Sequence, residues 1–371
     1  MKICFCNLTA GFKSGGLETY CWEAGHALAG LGHQVTVMGG VGSAARHEDV
    51  ELIALPYTPR DQYPNLGSRF RKFMERRSFA SKALPRLLNG NYDTVVINKP
   101  YDFPLLWQAK RQGLKAVTVL RSGGTEFWRG DRWFAGAVDR WASSSAYNAK
   151  QVQDHYGRPV TVIHNGVDTS RFRPQPRDAA HVALRTTRGL AADATALVSV
   201  GRLVGWKGFS VVIEALAGLP RDIHYLIVGD GEDCGRLKQL AATLGLADRV
   251  HFAGAVPHAE LPGWLALADI YVQPSVGEEA FGISVVEGLA CGLPALVSNQ
   301  GGLPEIVCDE SVGHRLPPGD VAAWRYAIAR FCADKAELAA AGLAARARAE
   351  AAFTWTGNAQ KLLRLIDGGA T

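Results

Sequence analysis

The chain has 371 residues, 47% of them apolar and 20% charged, with a net charge of +5. This composition excludes a disordered chain, and the length suits two α/β domains better than one core. No apolar run is long enough to cross a bilayer, and the seven cysteines are scattered with no pair of C-x-x-C motifs, so a reducing, cytoplasmic setting is expected.

Strand-like and helix-like runs alternate, the pattern of parallel sheets. Residues 2–7 form a short first strand that lacks the long apolar region and cleavage site of a signal peptide. Cys4 and Cys6 share one face of it, as small buried thiols do. Gly15-Gly16 then opens a helix over 17–31, which stops at Gly32. Further strands are expected over 34–38, 94–98, 116–120 and 161–164, with a helix over 146–155. A linker follows at 165–177, marked by Asn165-Gly166 and by Pro174 and Pro176. A second series of strands is expected over 196–200, 223–228, 250–252, 270–273 and 295–298. It alternates with helices over 209–217, 235–244, 259–267 and 284–290, and an amphipathic tail covers 355–366.

Charge divides unevenly between the halves. Residues 1–177 carry 24 Lys+Arg and 14 Asp+Glu, a net of +10, and residues 178–371 carry −5. The basic half points to an anionic partner. Nucleic acid is disfavoured, because the chain has no zinc-finger spacing, RNA-binding signature or basic recognition helix. On a helical wheel over 69–88, Arg69, Arg71, Lys72, Arg76, Lys82 and Arg86 cluster on one side and Phe70, Phe73, Met74, Leu84, Leu87 and Leu88 on the other, with Pro85 as a possible stop or kink. Two readings fit this pattern: a basic helix resting on an anionic membrane, with Arg71, Lys72 and Arg76 in contact, or a core-facing stripe with a solvated charged face.

The most informative stretch is Glu279-Ala280-Phe281-Gly282-Ile283-Ser284-Val285-Val286-Glu287. Gly282 permits a sharp turn, so the N–H groups of 282–284 can point outward as a helix begins, which makes an anion site. Glu279 lies on the loop before it and Glu287 lies within the helix. Amides for a diphosphate, one carboxylate for sugar hydroxyls and one for a ribose would suit a nucleotide sugar. Upstream, Val200-Gly201-Arg202-Leu203-Val204-Gly205-Trp206-Lys207-Gly208 places two cations five positions apart on a glycine-flanked loop, suited to a departing diphosphate. Gly229-Asp230-Gly231 with Gly235 is one residue too long for a dinucleotide fingerprint and reads as a tight strand-to-helix turn. The loop after the first strand likewise lacks the fingerprint a dehydrogenase needs. No D-x-D occurs and the histidines show no ligand spacing, so no metal or other cofactor is expected.

These motifs resemble those of the retaining glycosyltransferases of family 4. The E-x7-E signature falls on Glu279 and Glu287, the donor-phosphate Arg and Lys on Arg202 and Lys207, and G-G-x-E on Gly15, Gly16 and Glu18. His164-Asn165-Gly166-Val167-Asp168 resembles the family's linker entry. The resemblance covers nearly the whole chain, strongest over 196–307 and weakest over 40–160. It implies a GT-B fold: α/β, with two Rossmann-like doubly wound parallel-sheet domains facing a deep cleft. An acceptor domain over 1–170 would receive the returning helix 355–368, and a nucleotide-sugar domain would span 178–352.

The implied reaction is transfer of a sugar, with retention, from a UDP- or GDP-linked donor to a hydroxyl of a lipid-linked or cell-envelope glycan such as lipopolysaccharide. The alternative is a GT-B nucleotide-sugar isomerase without an acceptor, for which no acid–base pair is evident. Donor contacts are expected from Gly15, Gly16, Arg202, Lys207, Val256, Glu279, Phe281, Gly282, Ile283 and Glu287, with Glu279, Arg202 and Lys207 catalytic. The implied location is the cytoplasm, peripheral on the inner face of its membrane. Relatives commonly carry a histidine just after the strand equivalent to 116–120, near the donor sugar. Here no histidine occurs between His47 and His155, leaving Arg121 or the Gly123-Gly124 amides for that place.

Overall fold

The computed structural model describes residues 1–13, 15–42, 47–124 and 126–368. The chain divides into two compact units, Met1–Gly166 with the tail from Trp355, and Val167–Thr354.

The first unit is built on strands β1 (Lys2–Cys6), β2 (Gln34–Gly40), β3 (Glu51–Leu55), β4 (Thr94–Ile97), β5 (Val117–Ser122), β6 (Arg140–Ser143) and β7 (Thr161–Val162). All pairs are parallel, in the order β3-β2-β1-β4-β5-β6-β7. Helices cover both faces of such a sheet, so the central strands are apolar throughout: Ile3, Cys4, Phe5 and Cys6 are all buried. The order reverses between β1 and β4, and crevices open at the carboxyl ends of strands at such a reversal. The C-terminal helix Trp355–Ile366 belongs to this unit. It buries Trp355, Leu362, Leu365 and Ile366 against Tyr20, Trp22 and Leu28 of the helix Gly16–Gly30 and its surroundings. Asn358 donates to the His164 carbonyl at 2.6 Å and Arg140 to that of Leu365 at 3.1 Å.

The second unit repeats the plan with β8 (Thr195–Val200), β9 (Ile223–Val228), β10 (Val250–Gly254), β11 (Ile270–Gln273), β12 (Ala295–Ser298) and β13 (Gly313–Leu316). Their order is β10-β9-β8-β11-β12-β13, again all parallel. Here the reversal falls between β8 and β11, and the loops leaving those two strands carry Arg202, Lys207 and Glu279.

Three strands went unread in the sequence. β3 is a short apolar run at a sheet edge, while β6 (Arg-Trp-Ala-Ser) has only two apolar residues in sequence and β13 (Gly-His-Arg-Leu) has no apolar run. Parallel pairing to β5 and β12 recruits the last two despite their composition. Pro85 neither ends nor divides the helix Ser68–Asn89, which runs through it.

The expected membrane face of that helix needs correction. Arg76 is 3% exposed and donates to Asp102 at 2.6 Å. Lys72 pairs with Glu126 and lies 4.9 Å over the Tyr101 ring, and Arg71 donates to the Tyr63 carbonyl at 3.1 Å. These three cations serve contacts within the unit. A buried arginine must be paired, and Asp102 meets that need from 26 residues along the chain.

Candidate active site

Beyond β8 the chain makes a single 3-10 turn, Gly205–Lys207, ending at Gly208 with φ 72°. A Cβ at Gly208 would sit 2.0 Å from the Pro274 carbonyl oxygen, so only glycine lets this loop lie against the one leaving β11. The two loops are stitched together by Val276 and Gly277, whose N–H groups both donate to the Trp206 carbonyl at 2.9 Å. Lys207 is thereby brought to Glu279 and forms an ion pair with it, both side chains largely withdrawn from solvent. The Lys207 ammonium also lies 4.8 Å from the centre of the Trp206 ring. Arg202, on the same loop, is exposed; its carbonyl accepts from Val204 N–H at 3.0 Å, and its guanidinium has no ion-pair or hydrogen-bond partner among the described residues.

Glu279 is held by its own backbone, since its carbonyl accepts from Gly302 N–H at 2.8 Å. The Gly301-Gly302 loop after β12 thus acts as a brace. Gly282, at φ 112°, starts the helix Ile283–Ala290. At a helix start the first N–H groups lack intrahelical acceptors, so those of Ile283 and Ser284 form a positive end beside Glu279. The Phe281 ring is buried against Phe353, centroids 5.8 Å apart, which leaves the backbone as what this residue can offer a ligand. Val256 is half-buried against the same core cluster.

Glu287 lies inside that helix and is 5% exposed. Its Oε1 is 2.6 Å from His258 Nε2, and His258 Nδ1 is 3.1 Å from an Arg171 guanidinium nitrogen. Neither His258 nor Arg171 was singled out from the sequence. The available signal was position: His258 lies two residues after Val256, one of the expected donor contacts. The buried Tyr271 phenol beneath this region is pushed up by burial, with a minor contribution from Glu287 and Glu279.

In the first unit the helix Gly16–Gly30 starts after Gly15, with Glu18 reaching back to the Thr9 hydroxyl. Leu17 packs directly on Gly123, leaving no space for a side chain there. The start of the helix Gly16–Gly30 and the loop leaving β5 are therefore neighbours through Leu17 and Gly123.

Arg121 does not join them, a second correction. It is 1% exposed, donates to the Ile163 carbonyl at 3.0 Å and to Asn165, and lies 4.0 Å over the Tyr20 ring. Burial holds its guanidinium below the usual range and lifts the Tyr20 phenol to about 12. Its charge is spent inside the unit.

Nearby, burial works against the charge of Glu126, but Lys99 and then Lys72 hold it below the ordinary carboxylate range. Among the described residues, one group has the donor set for a metal ion: His26, His47 and Asp49, with donor atoms within 4.8 Å of one another. The two rings stack 4.2 Å apart and 9° from parallel, so their in-plane lone pairs do not converge on one point.

Two doubly wound sheets, the second with cations, a carboxylate and a helix start at its strand-order reversal, define an α/β protein suited to a phosphorylated ligand. Residues 14–171 match the family model described as Glycosyltransferase Family 4, and residues 184–348 the one described as Glycosyl transferases group 1. The GDP-mannose-dependent alpha-(1-6)-phosphatidylinositol monomannoside mannosyltransferase of Mycolicibacterium smegmatis is 34% identical over 235 residues, 60% of this chain and 61% of that protein. The D-inositol 3-phosphate glycosyltransferase of Thermobispora bispora is 33% identical over 389 residues, 94% of this chain and 89% of that protein. Among solved structures, sucrose-phosphate synthase from Thermosynechococcus elongatus superposes with a TM-score of 0.84 at 23% identity, covering 99% of this chain and 98% of that one. The chain belongs to glycosyltransferase family 4, the group 1 glycosyl transferases, and its fold is of the GT-B type.

Proposed function

We propose that this chain transfers a hexose from a UDP- or GDP-linked donor to an acceptor hydroxyl with retention at the anomeric carbon, the second unit taking the donor and the first the acceptor. The observation that carries this reading is the convergence of Arg202, Lys207, Glu279 and the start of the helix Ile283–Ala290 at the β8/β11 reversal. The similarity to a GDP-mannose-dependent mannosyltransferase and an inositol phosphate glycosyltransferase supports it.

In this reading the donor diphosphate takes Lys207 from Glu279 and also meets Arg202 and the helix-start amides. Glu279, released, accepts hydrogen bonds from sugar hydroxyls and stabilises positive charge developing at the anomeric carbon. Breaking the sugar–phosphate bond leaves charge on the departing oxygens, where the two cations are aimed. A phosphate oxygen on the same face takes the acceptor's proton as its oxygen bonds to the anomeric carbon. Glu287 holds the ribose. The cations do the work of a bridging metal, so activity should survive chelator. Screening UDP-, GDP- and ADP-sugars for nucleoside diphosphate release tests the reading. One strongly preferred donor, turned over faster with acceptor, is the expected result; no release from any donor would contradict it.

The acceptor is proposed to be lipid-linked, met at an anionic membrane on the cytoplasmic side. No helix among the described residues is long and apolar enough to span a membrane. The support is a patch of the first unit other than the helix expected from sequence. Trp133 is 83% exposed and Trp107 38% exposed; Arg111 lies 4.7 Å over the Trp107 ring, Phe134 packs on that ring, and Arg129 and Arg132 are exposed on the segment that carries Trp133 and Phe134. Tryptophan favours the membrane interface, and each basic residue adds about 1 kcal/mol near anionic lipid. Reversing Arg129 and Arg132 to Glu, with Trp133→Ala, should weaken pelleting with phosphatidylglycerol vesicles by more than ~10-fold and leave soluble-donor hydrolysis unchanged. Unchanged pelleting would reject the patch.

A further inference from the structure

The carboxylate assigned to the ribose is itself held from outside the family's signature. Arg171 Nη2 lies 3.1 Å from His258 Nδ1, and a guanidinium has only donors, so Nδ1 must present its lone pair. The ring hydrogen then sits on Nε2 and is donated to Glu287 Oε1 across 2.6 Å. One oxygen of Glu287 is occupied, the rotamer is fixed, and Oε2 is left to point elsewhere.

The anchor behind His258 is rigid. The Arg171 N–H donates to Asp168 at 3.2 Å, and its guanidinium lies 4.9 Å over the ring of Phe172. Phe172 is fully buried and also packs on the His258 ring, with centroids 5.4 Å apart. Arg346 donates at 2.6 Å both to the Phe172 carbonyl and to that of Ala290, the last residue of the helix bearing Glu287. The segment 168–172 is thus tied to that helix at its end through Arg346 and at its middle through His258.

We propose that His258, oriented by Arg171, is a positioning residue for nucleoside recognition: it clamps one oxygen of Glu287 so that the other meets the hydroxyls of the donor's ribose. The inference rests on the reading of Glu287 as the ribose carboxylate. Histidine suits the place because it accepts from arginine on one side and donates to a carboxylate on the other. Glutamine can reproduce the donation, asparagine is too short to do so, and leucine can do neither.

The test is steady-state kinetics on the preferred donor for His258→Leu, His258→Asn, His258→Gln and Glu287→Ala. It is paired with calorimetric binding of the matching nucleoside diphosphate and its 2′-deoxy and 3′-deoxy forms. His258→Leu and His258→Asn should each raise donor KM about tenfold with kcat within about twofold, and should reduce the preference for the ribo form over its deoxy analogues. His258→Gln should recover most of both, which a purely structural histidine would not. His258→Asn keeps the site polar, so the proposal is judged on it if the leucine variant does not fold. If the histidine variants keep wild-type KM and ribose preference while Glu287→Ala loses them, the clamp is overturned and the ribose reading stands. If Glu287→Ala keeps the ribose preference as well, the ribose reading fails and the clamp with it.

Discussion

Arg202→Ala and Lys207→Ala are each expected to lower turnover by about two orders of magnitude with folding intact, because each removes a cation from beside a diphosphate that, in the proposed reaction, gains charge as it leaves. The two should differ in donor binding. The Arg202 guanidinium is exposed and has no partner among the described residues, so its loss takes away attraction and breaks no side-chain contact. Lys207 is paired with Glu279, and removing it leaves that carboxylate half-buried and uncompensated near an incoming dianion. Nucleoside diphosphate binding should therefore weaken more in Lys207→Ala than in Arg202→Ala. Calorimetry with stopped-assay kinetics checks both points, and near-wild-type turnover in the two variants would remove the phosphate assignment.

Glu279→Gln is expected to reduce kcat by a further effect of similar size, about 100-fold, since it keeps the shape and loses the charge that stabilises the anomeric carbon. The same change frees Lys207 from its carboxylate. Nucleoside diphosphate affinity should hold or rise while catalysis falls, a split that damage to the loop would not produce. Full kcat in Glu279→Gln, or loss of kcat and affinity together, would reject the role. An affinity that falls with kcat intact would move Glu279 from catalysis to binding.

The candidate site was legible in the sequence because its residues sit on short loops with local signals. Gly201, Gly205 and Gly208 flank Arg202 and Lys207, and the Phe-Gly turn sets the start of the helix carrying Glu287. The alternation of strands and helices was enough for two parallel sheets, since central strands such as β1, β9 and β11 are mostly apolar and largely buried. What was not legible depends on distant partners. Arg76 and Arg121 look like surface cations in a linear chain; Asp102 and Asn165, 26 and 44 positions away, make them interior ones. The Arg171–His258–Glu287 contact joins residues 87 and 29 positions apart and has no local pattern to give it away. Strand β6, between β5 and the two-residue β7, and the edge strand β13 are specified by a neighbouring strand more than by their own composition.

Those distant contacts also explain why the membrane reading moved. A helical wheel counts charges without asking which are already paired, and on the helix Ser68–Asn89 the three cations assigned to lipid are engaged inside the unit. Trp133 and Trp107 gave no periodic signal because they lie on separate short segments. Their segments meet only when the loop after β5 folds over the helix Phe103–Arg111, where Phe134, next to Trp133 in the chain, packs edge-on to Trp107 at 5.6 Å.

The most direct measurement of the central claim is proton NMR of the reaction in progress with the preferred nucleotide α-sugar and an acceptor. The account predicts stoichiometric nucleoside diphosphate release and a product whose new linkage first appears as the α anomer. A β-linked product would contradict retention at this site, and a nucleotide sugar changed in configuration with no diphosphate released would contradict transfer altogether.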